Sequence, residues 1–538
     1  MRIVVNRRRF LASSLGTAPL AQPAGRRRRP NIIVVMMDDF GIGHFAPHAE
    51  SLRAGQSDPA HIQFIRERGA AYSEEEALAI SRRAMPTLSA LARRGAVFTN
   101  AFASSNLCAP ARSGVLMGRL QNRFGLYQNS DVEARGMPDG MVLAAQLQKA
   151  GYATAFIGKW HAGPRDATLP AIGAGRIGSV IRRSHPLENG FDYYFGYNHY
   201  QCPFYDSEQI WENREYTGLQ KRYNTDLFTD KAIAFMRQAR QAGRPFFVEA
   251  AYHAVHAPLR PQAPDRYFKQ FEGAPAVLQN FYAHVYAVDQ SIAAMRDALG
   301  PDWDNTLFIF CGDNGAPASL GSPPPANAPH RGHKGTLLLG GIRVPLLMHW
   351  TAGIRGGGRR KELVSALDVM PTALDAAGVP APADLDGRSV LPLLAGKTRA
   401  VHDNLVLAGI HARSWGFLGA TTMGTANPER RREESPGAWV VCDGRYLLRY
   451  VTSIPAGLFN DVPDGRPGAY ELYDLREDPL EQKDLTVQLP QVVRELRAVY
   501  EKEAHAFPPP AKWRADRWRE MMPPDNLHLK DGSGGVRL

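Results

Sequence analysis

Short runs of β-forming, mostly apolar residues recur along this chain, each closed by glycine or polar residues: Ile32–Met37, Val97–Ala103, Ala153–Ile157, Pro245–Ala251, Leu307–Cys311 and Pro345–Trp350. A run that is apolar at successive positions, not at alternate ones, suits a strand covered on both faces. Helical patterns lie between the runs, at Thr87–Arg93, Met141–Ala150, Asp226–Gln241 and Asn280–Ala298. Strands alternating with helices predict an α/β domain with a large, mostly parallel central sheet flanked by helices, placed here at residues 30–400. Past residue 400 the pattern changes. Trp439–Tyr450 reads as a hairpin around Asp443-Gly444, Tyr470–Tyr473 as a further strand and Leu489–Ala504 as a helix, which together predict a smaller α+β subdomain over 401–510. Residues 511–538 read as an irregular tail, and the Gly-, Ala-, Ser- and Pro-rich stretches 164–186 and 316–329 as surface loops within the domain.

Charge narrows the function classes. The 64 Lys and Arg exceed the 53 Asp and Glu, as in many nucleic-acid binders, but eight arginines and no acid lie in residues 1–29, which leaves 56 basic against 53 acidic residues in the rest. A nearly balanced body argues against nucleic acid as a partner. The segment Asn6-Arg7-Arg8-Arg9-Phe10-Leu11, ahead of a weakly apolar stretch, resembles a twin-arginine export signal, so residues 1–29 are expected to be a signal and basic linker and the protein periplasmic. No apolar run is long enough for a membrane-spanning helix, and four cysteines in 538 residues exclude a disulfide scaffold.

Two of the apolar runs end in carboxylates. Asp38 and Asp39 follow Ile32–Met37, and Asp313 and Asn314 follow Leu307–Cys311. Ligands in α/β sheets gather at the carboxyl ends of strands. Adjacent carboxylates repel unless a cation compensates, and an all-oxygen set suits a hard divalent ion, calcium or magnesium. Either pair alone also suits a turn or cap. Cys108-Ala109-Pro110-Ala111-Arg112 follows the Val97–Ala103 run at an expected helix start, where the helix dipole and the guanidinium favour an anionic reactant; a small buried hydrophobe is the alternative for Cys108. The aromatic-rich stretch Phe191–Tyr223 suits either sugar stacking or packing.

Cys108-Ala109-Pro110-Ala111-Arg112 resembles the C-x-P-x-R signature of type I sulfatases. The same family's paired aspartate, G-K-W-H segment, His before Pro, D-N pair and late Lys are matched in order by Asp38-Asp39, Gly158-Lys159-Trp160-His161, His256-Ala257-Pro258, Asp313-Asn314 and Lys334. Ala111 and Met117 stand where Ser and Thr are common in that family. The resemblance implies an alkaline-phosphatase-like fold and a sulfuric ester hydrolase acting on a sulfated small molecule or glycan. It implies conversion of Cys108 to formylglycine by a maturation enzyme, and one calcium ion held by Asp38, Asp39, Asp313, Asn314 and an oxygen of residue 108. In that scheme the hydrated aldehyde attacks sulfur and its second hydroxyl expels sulfate. Arg112 and Lys159 hold the modified residue and the sulfate, His161 takes the proton of the elimination, and His256 and Lys334 neutralise or protonate the leaving oxygen. His253, His330 and His333 receive no metal role. The alternatives are a phosphonate or phosphodiester hydrolase on the same scaffold, and a non-catalytic protein that binds sulfated glycans.

Overall fold

The computed structural model describes residues 28–169, 178–354, 357–411, 437–452, 468–512 and 521. Residues 1–27 of the expected 1–29 signal and linker, part of the 164–186 loop and most of the 511–538 tail lie outside the described residues.

The strands, in chain order, are β1 (Asn31–Met37), β2 (Ala96–Phe98), β3 (Ala101–Phe102), β4 (Ala153–Lys159), β5 (Tyr193–Tyr197), β6 (Trp211–Glu212), β7 (Glu215–Tyr216), β8 (Phe246–Tyr252), β9 (Thr306–Gly312), β10 (Leu346–His349), β11 (Gly358–Arg360) and β12 (Val364–Ser365). Ten of them form one sheet in the order β11-β2-β10-β9-β1-β8-β4-β5-β6-β7. Its centre, β9-β1-β8-β4-β5, is parallel throughout, while β10 and the β6–β7 edge run antiparallel. The mostly parallel α/β sheet predicted from the apolar runs is therefore the fold.

Both faces of this sheet are buried, which is why its central strands carry no polar alternation. On β1, Ile33, Val35 and Met37 join one core with Phe308 and Phe310 of β9, and Ile32, Val34 and Met36 join a second core with Leu307, Ile309 and Cys311. The Asn224–Gln241 and Ala276–Leu299 helices cover the first face through Leu227, Phe228, Phe281 and Val285. The Cys108–Met117, Leu143–Lys149 and Val369–Ala377 helices cover the second through Leu116, Leu143, Leu147 and Met370.

The expected Val97–Ala103 strand is broken. The chain leaves the large sheet after β2 and pairs β3 with β12 in a separate two-stranded sheet. Thr99 marks the change, donating its backbone N–H and its hydroxyl to Arg360 O at 2.8 and 3.0 Å.

A second sheet, β13-β14-β15-β16, is antiparallel: β13 (Leu405–Ile410), β14 (Gly437–Cys442), β15 (Tyr446–Val451) and β16 (Ala469–Asp474). The β14–β15 hairpin turns at Asp443-Gly444, as predicted. The Asp443 carboxylate accepts the backbone N–H groups of Arg445 and Tyr446, and Gly444 sits at φ +89°. The Pro490–Ala504 helix packs on this sheet by stacking Tyr500 on Trp439 at 4.0 Å. Trp439 Nε1 also donates to Met521 O, so one point within the expected irregular tail is packed into the core.

Candidate active site

Four parallel strands deliver the polar residues to one end of the sheet. Asp38 and Asp39 follow β1, Asp313 and Asn314 follow β9, Lys159 closes β4 with His161 just beyond it, and His253 and His256 follow β8. The strand ends are stitched together by backbone bonds: Asp313 N to Met37 O at 3.2 Å, Asp38 N to Ala254 O at 3.1 Å and Val255 N to Asp38 O at 2.8 Å. Asp39 and His161 are held at φ +57° and +46°, left-handed conformations uncommon for such residues and concentrated at functional sites. Gly158, at φ +107°, lets β4 approach β8 so closely that a Cβ there would lie 2.0 Å from Ala251 O. Gly158→Ala is expected to cost more than about 3 kcal/mol, since the clash is with backbone and adds to the strain, and to displace Lys159; denaturant midpoint and activity measure the two effects.

The Cys108–Met117 helix brings in Cys108 at its first position and Arg112 one turn later, so both side chains lie on one face. Arg112 is buried and donates Nε to Asp313 Oδ2 at 3.0 Å and Nη1 to Lys159 O at 3.0 Å; its Nη2 lies 3.0 Å from Asp313 Oδ2 and 3.6 Å from Asp38 Oδ1. Lys159 and Lys334 are buried, contrary to the solvated fate usual for a lone Lys. Lys159 Nζ donates to Asp38 Oδ2 and Lys334 Nζ approaches Asp39 Oδ1, each at 2.5 Å. The Cys108 thiol faces Asp39 Oδ1 at 3.7 Å. One ligand-type atom from each of Asp38, Asp39, Cys108 and His256 lies within 4.8 Å of every other.

Asp313 is committed elsewhere in this cluster. Beyond Arg112, its Oδ1 accepts the backbone N–H of Asp39 at 3.0 Å and of Asn314 at 2.9 Å. Asn314 donates Nδ2 to Asp39 Oδ1 at 2.9 Å, which leaves Asn314 Oδ1 and Asp38 Oδ1 as buried oxygens without a hydrogen-bond partner among the described residues. Two such oxygens beside two further carboxylates fit a hard cation, because an unpartnered buried acceptor is otherwise costly.

The electrostatics follow from burial against charge. Burial works to raise the Asp39 carboxyl, but Lys334, His256 and Lys159 outweigh it and hold it well below the usual range. Burial, with Asp38 adding to it, pushes Asp313 up. Burial pushes the Cys108 thiol up to about 12 against the pull of Lys159 and Lys334. Burial also drives His161 well below its ordinary value, helped by Lys159 and Arg112, and drives His256 down to about 3 against the pull of Asp39.

All of Asp38, Asp39, Cys108, Arg112, Lys159, His256, Asp313, Asn314 and Lys334 thus meet in one cluster, and His161 stands at its edge with Nε2 3.2 Å from Glu133 Oε1. Sequence reasoning missed Glu133, which carries no motif and is paired only through the fold. It also passed over His253, whose Nδ1 lies 2.8 Å from Tyr197 Oη and 3.8 Å from Asp38 Oδ2; the spacing to His256 was the available signal. The Phe191–Tyr223 aromatics mostly pack: Tyr194, Phe195, Tyr197, Phe204 and Trp211 are buried. Tyr200 and Tyr216 are exposed, at 38% and 40%; of these Tyr200 lies beside the site, with its ring 4.1 Å from that of His199 and 6.4 Å from that of His256.

A family model described as Sulfatase matches residues 30–379, and the chain belongs to the sulfatase family; with its sulfatase relatives this makes it a sulfuric ester hydrolase. Among its relatives, the uncharacterized sulfatase YdeN of Escherichia coli K12 is 31% identical over 510 residues, covering 90% of this chain and 86% of that protein. Human N-acetylgalactosamine-6-sulfatase is 29% identical over 405 residues, covering 69% and 67%. The crystal structure of Ps i-CgsB in complex with k-i-k-neocarrahexaose shares the fold, with a TM-score of 0.67 at 22% identity, over 92% of this chain and 98% of that one. No helix among the described residues is long and apolar enough to cross a membrane.

Proposed function

We propose that this chain is an exported sulfatase that uses a formylglycine made from Cys108 and one calcium ion to hydrolyse a sulfate monoester on a carbohydrate. The observation that carries the reading is the convergence of Cys108, three carboxylates, one amide and three buried cations at the carboxyl ends of the central strands. Such a site supplies what sulfate ester cleavage needs, a held nucleophile and positive charge around an anionic group. The names of the human relative and of the Ps i-CgsB complex support a carbohydrate substrate. The catalytic domain is taken as residues 30–400 and the C-terminal subdomain as 401–510. The twin-arginine-like Asn6–Leu11 segment supports export to the periplasm, after conversion of Cys108 by a formylglycine-generating enzyme.

Calcium would be held by Asp38, Asp39, Asp313, Asn314 and an oxygen of residue 108, where it would polarise the sulfate and favour the ionised hydroxyl. Formylglycine supplies, as its hydrate, one hydroxyl for attack on sulfur and a second for expelling sulfate. The protein's own groups are charge-balanced around this position, with Asp38, Asp39 and Asp313 against Arg112, Lys159 and Lys334. A divalent cation brings the cluster to a net charge that an incoming sulfate ester and the departing sulfate dianion both reduce, so the site attracts substrate and resists ionisation of its histidines.

Arg112 holds the inner carboxylates and the Lys159 carbonyl, fixing the end of β4, while Lys159 presents its ammonium to the sulfate. His161 has Nε2 on Glu133, and its buried Nδ1, without a partner among the described residues, is the nitrogen left to take the proton of the elimination step. The Nδ1 of His256 lies 2.7 Å from the carbonyl of Ala257, which only a ring N–H satisfies, so Nε2 donates from the imidazolium alone. Lys334, which Asp39 keeps protonated despite burial, is therefore the ready donor to the leaving oxygen, with His256 beside it.

The test is sulfate release from sulfated mono- and disaccharides and an aryl sulfate, with an aryl phosphodiester alongside. Release from sulfated sugars is expected to dominate, and turnover of the phosphodiester with no sulfate released from any ester would overturn the reading.

A further inference from the structure

The loop that carries Lys334 has little regular structure of its own. It passes Gly332 and Gly335 at φ +91° and +89°, and is shaped by local bonds such as Thr336 Oγ1 to His333 O at 2.7 Å. A segment of this kind takes its position from what it is tied to. On one side Gly335 N donates to Asn106 O at 3.0 Å, and Asn106, two residues before Cys108, donates Nδ2 to Ile410 O at the end of β13 at 2.8 Å. On the other side, two backbone groups that follow Lys334 are met by one buried ion pair between Arg449 of β15 and Glu481 in the segment after β16. Leu339 N donates to Glu481 Oε2 at 2.8 Å, and Leu337 O accepts from Arg449 Nη1 at 3.3 Å. That same Nη1 reaches Glu481 Oε1 at 2.5 Å, while Arg449 Nε donates to Glu471 Oε2 at 2.9 Å.

Glu481 is buried and held at φ +53°, a conformation that packing must impose on a glutamate. Buried charges contribute little net stability compared with an apolar core, so a buried arginine between two carboxylates argues for a geometric role. Its geometry is specific: one carboxylate and one guanidinium meet a donor and an acceptor two residues apart, just after the lysine whose side chain reaches Asp39.

We propose that Glu481, through Arg449 and the Leu337–Leu339 backbone, is a positioning residue for Lys334, so that the C-terminal sheet sets how well the leaving oxygen is neutralised. The proposal rests on the reading of Lys334 as the group serving that oxygen. It makes Glu481 and Arg449 parts of the catalytic apparatus that act through Lys334.

The experiment compares wild type, Glu481→Gln, Arg449→Lys and Lys334→Ala on aryl sulfates of graded phenol acidity. All are made with a formylglycine-generating enzyme and normalised to conversion of residue 108 by peptide mass. A general loss of folded or converted enzyme lowers kcat/KM by one factor for every ester. A displaced Lys334 costs most where the leaving phenol is least acidic. Glu481→Gln is expected to lose about threefold on the most activated ester and about thirtyfold or more on the least, giving a steeper dependence on phenol pKa in the direction of Lys334→Ala. Arg449→Lys keeps the charge but cannot span both carboxylates and Leu337 O, and is expected to steepen the dependence too; it carries the test if Glu481→Gln does not fold. A steep Lys334→Ala line with Glu481→Gln and Arg449→Lys parallel to wild type would overturn this proposal alone. A Lys334→Ala line parallel to wild type would remove the role of Lys334, and this proposal with it.

Discussion

Cys108→Ser, made alongside a formylglycine-generating enzyme, is expected to release no free sulfate beyond background, a loss of roughly 10⁴-fold or more, while its residue-108 peptide gains the mass of one SO₃. The serine hydroxyl occupies the same first position of the Cys108–Met117 helix, so Lys159, Lys334 and Arg112 still gather the ester around it. One transfer to that oxygen is therefore possible. Release is not, because a single hydroxyl has no second oxygen on the same carbon from which to expel sulfate. Cys108→Ala, with no nucleophile, is expected to show neither turnover nor mass gain. The unconverted cysteine is expected to be inactive as well, because it too lacks a second hydroxyl from which to expel sulfate, and burial pushes its thiol up to about 12. Repeated turnover by Cys108→Ser would show that residue 108 works without the aldehyde, and the elimination route would be wrong.

What could be read before the fold was known follows the physics of each element. Strands β1, β4, β8 and β9 were legible because burial on both faces leaves an unbroken apolar run, and their carboxyl ends fix where a ligand collects. Asp38, Asp39, Asp313 and Lys159 sit directly at those ends, so the sequence places them beside one another once the strands are aligned. Lys334 is different. It lies in an irregular loop, and only the family resemblance, not any periodicity, brought it to the site.

Residues that act through the tertiary structure left no signal. Glu133 belongs to the short Asn129–Arg135 helix and meets His161, 28 residues on, only through the tertiary structure. Glu481 meets Leu339 across two subdomains. The Thr99 break was invisible for a related reason: Val97 to Ala103 reads as one β-forming run, and it is pairing with different partners, β10 and β11 before Thr99 and β12 after it, that divides the run. The aromatic stretch was open in the sequence between sugar stacking and packing, since residue type alone suits both, and the burial of Tyr194, Phe195, Tyr197, Phe204 and Trp211 decides mostly for packing.

Asp313 is the residue at which the inferred ligand set and the observed bonds pull apart, so its substitution carries the second large effect. Both of its oxygens are already engaged, Oδ2 by Arg112 and Oδ1 by the amides of Asp39 and Asn314. If it also holds calcium, Asp313→Asn removes one unit of negative charge from a site that must bind a dication, while a side-chain oxygen remains to accept the two amides. Purified Asp313→Asn is then expected to contain no stoichiometric calcium by elemental analysis and to lose about 10²–10³-fold or more in sulfate release, with wild type stripped by a chelator falling to the same level. A stability loss of about 3 kcal/mol is expected as well, because Arg112 is left buried with only Asp38, at 3.6 Å, as its counterion. The two effects separate the roles. A variant that keeps one calcium per chain but unfolds more easily would make Asp313 the partner of Arg112 and nothing more, leaving Asp38, Asp39 and Asn314, with an oxygen of residue 108, as the ligands. Loss of calcium with the fold intact would place Asp313 among them, because only the charge of the carboxylate has then been taken from the cation.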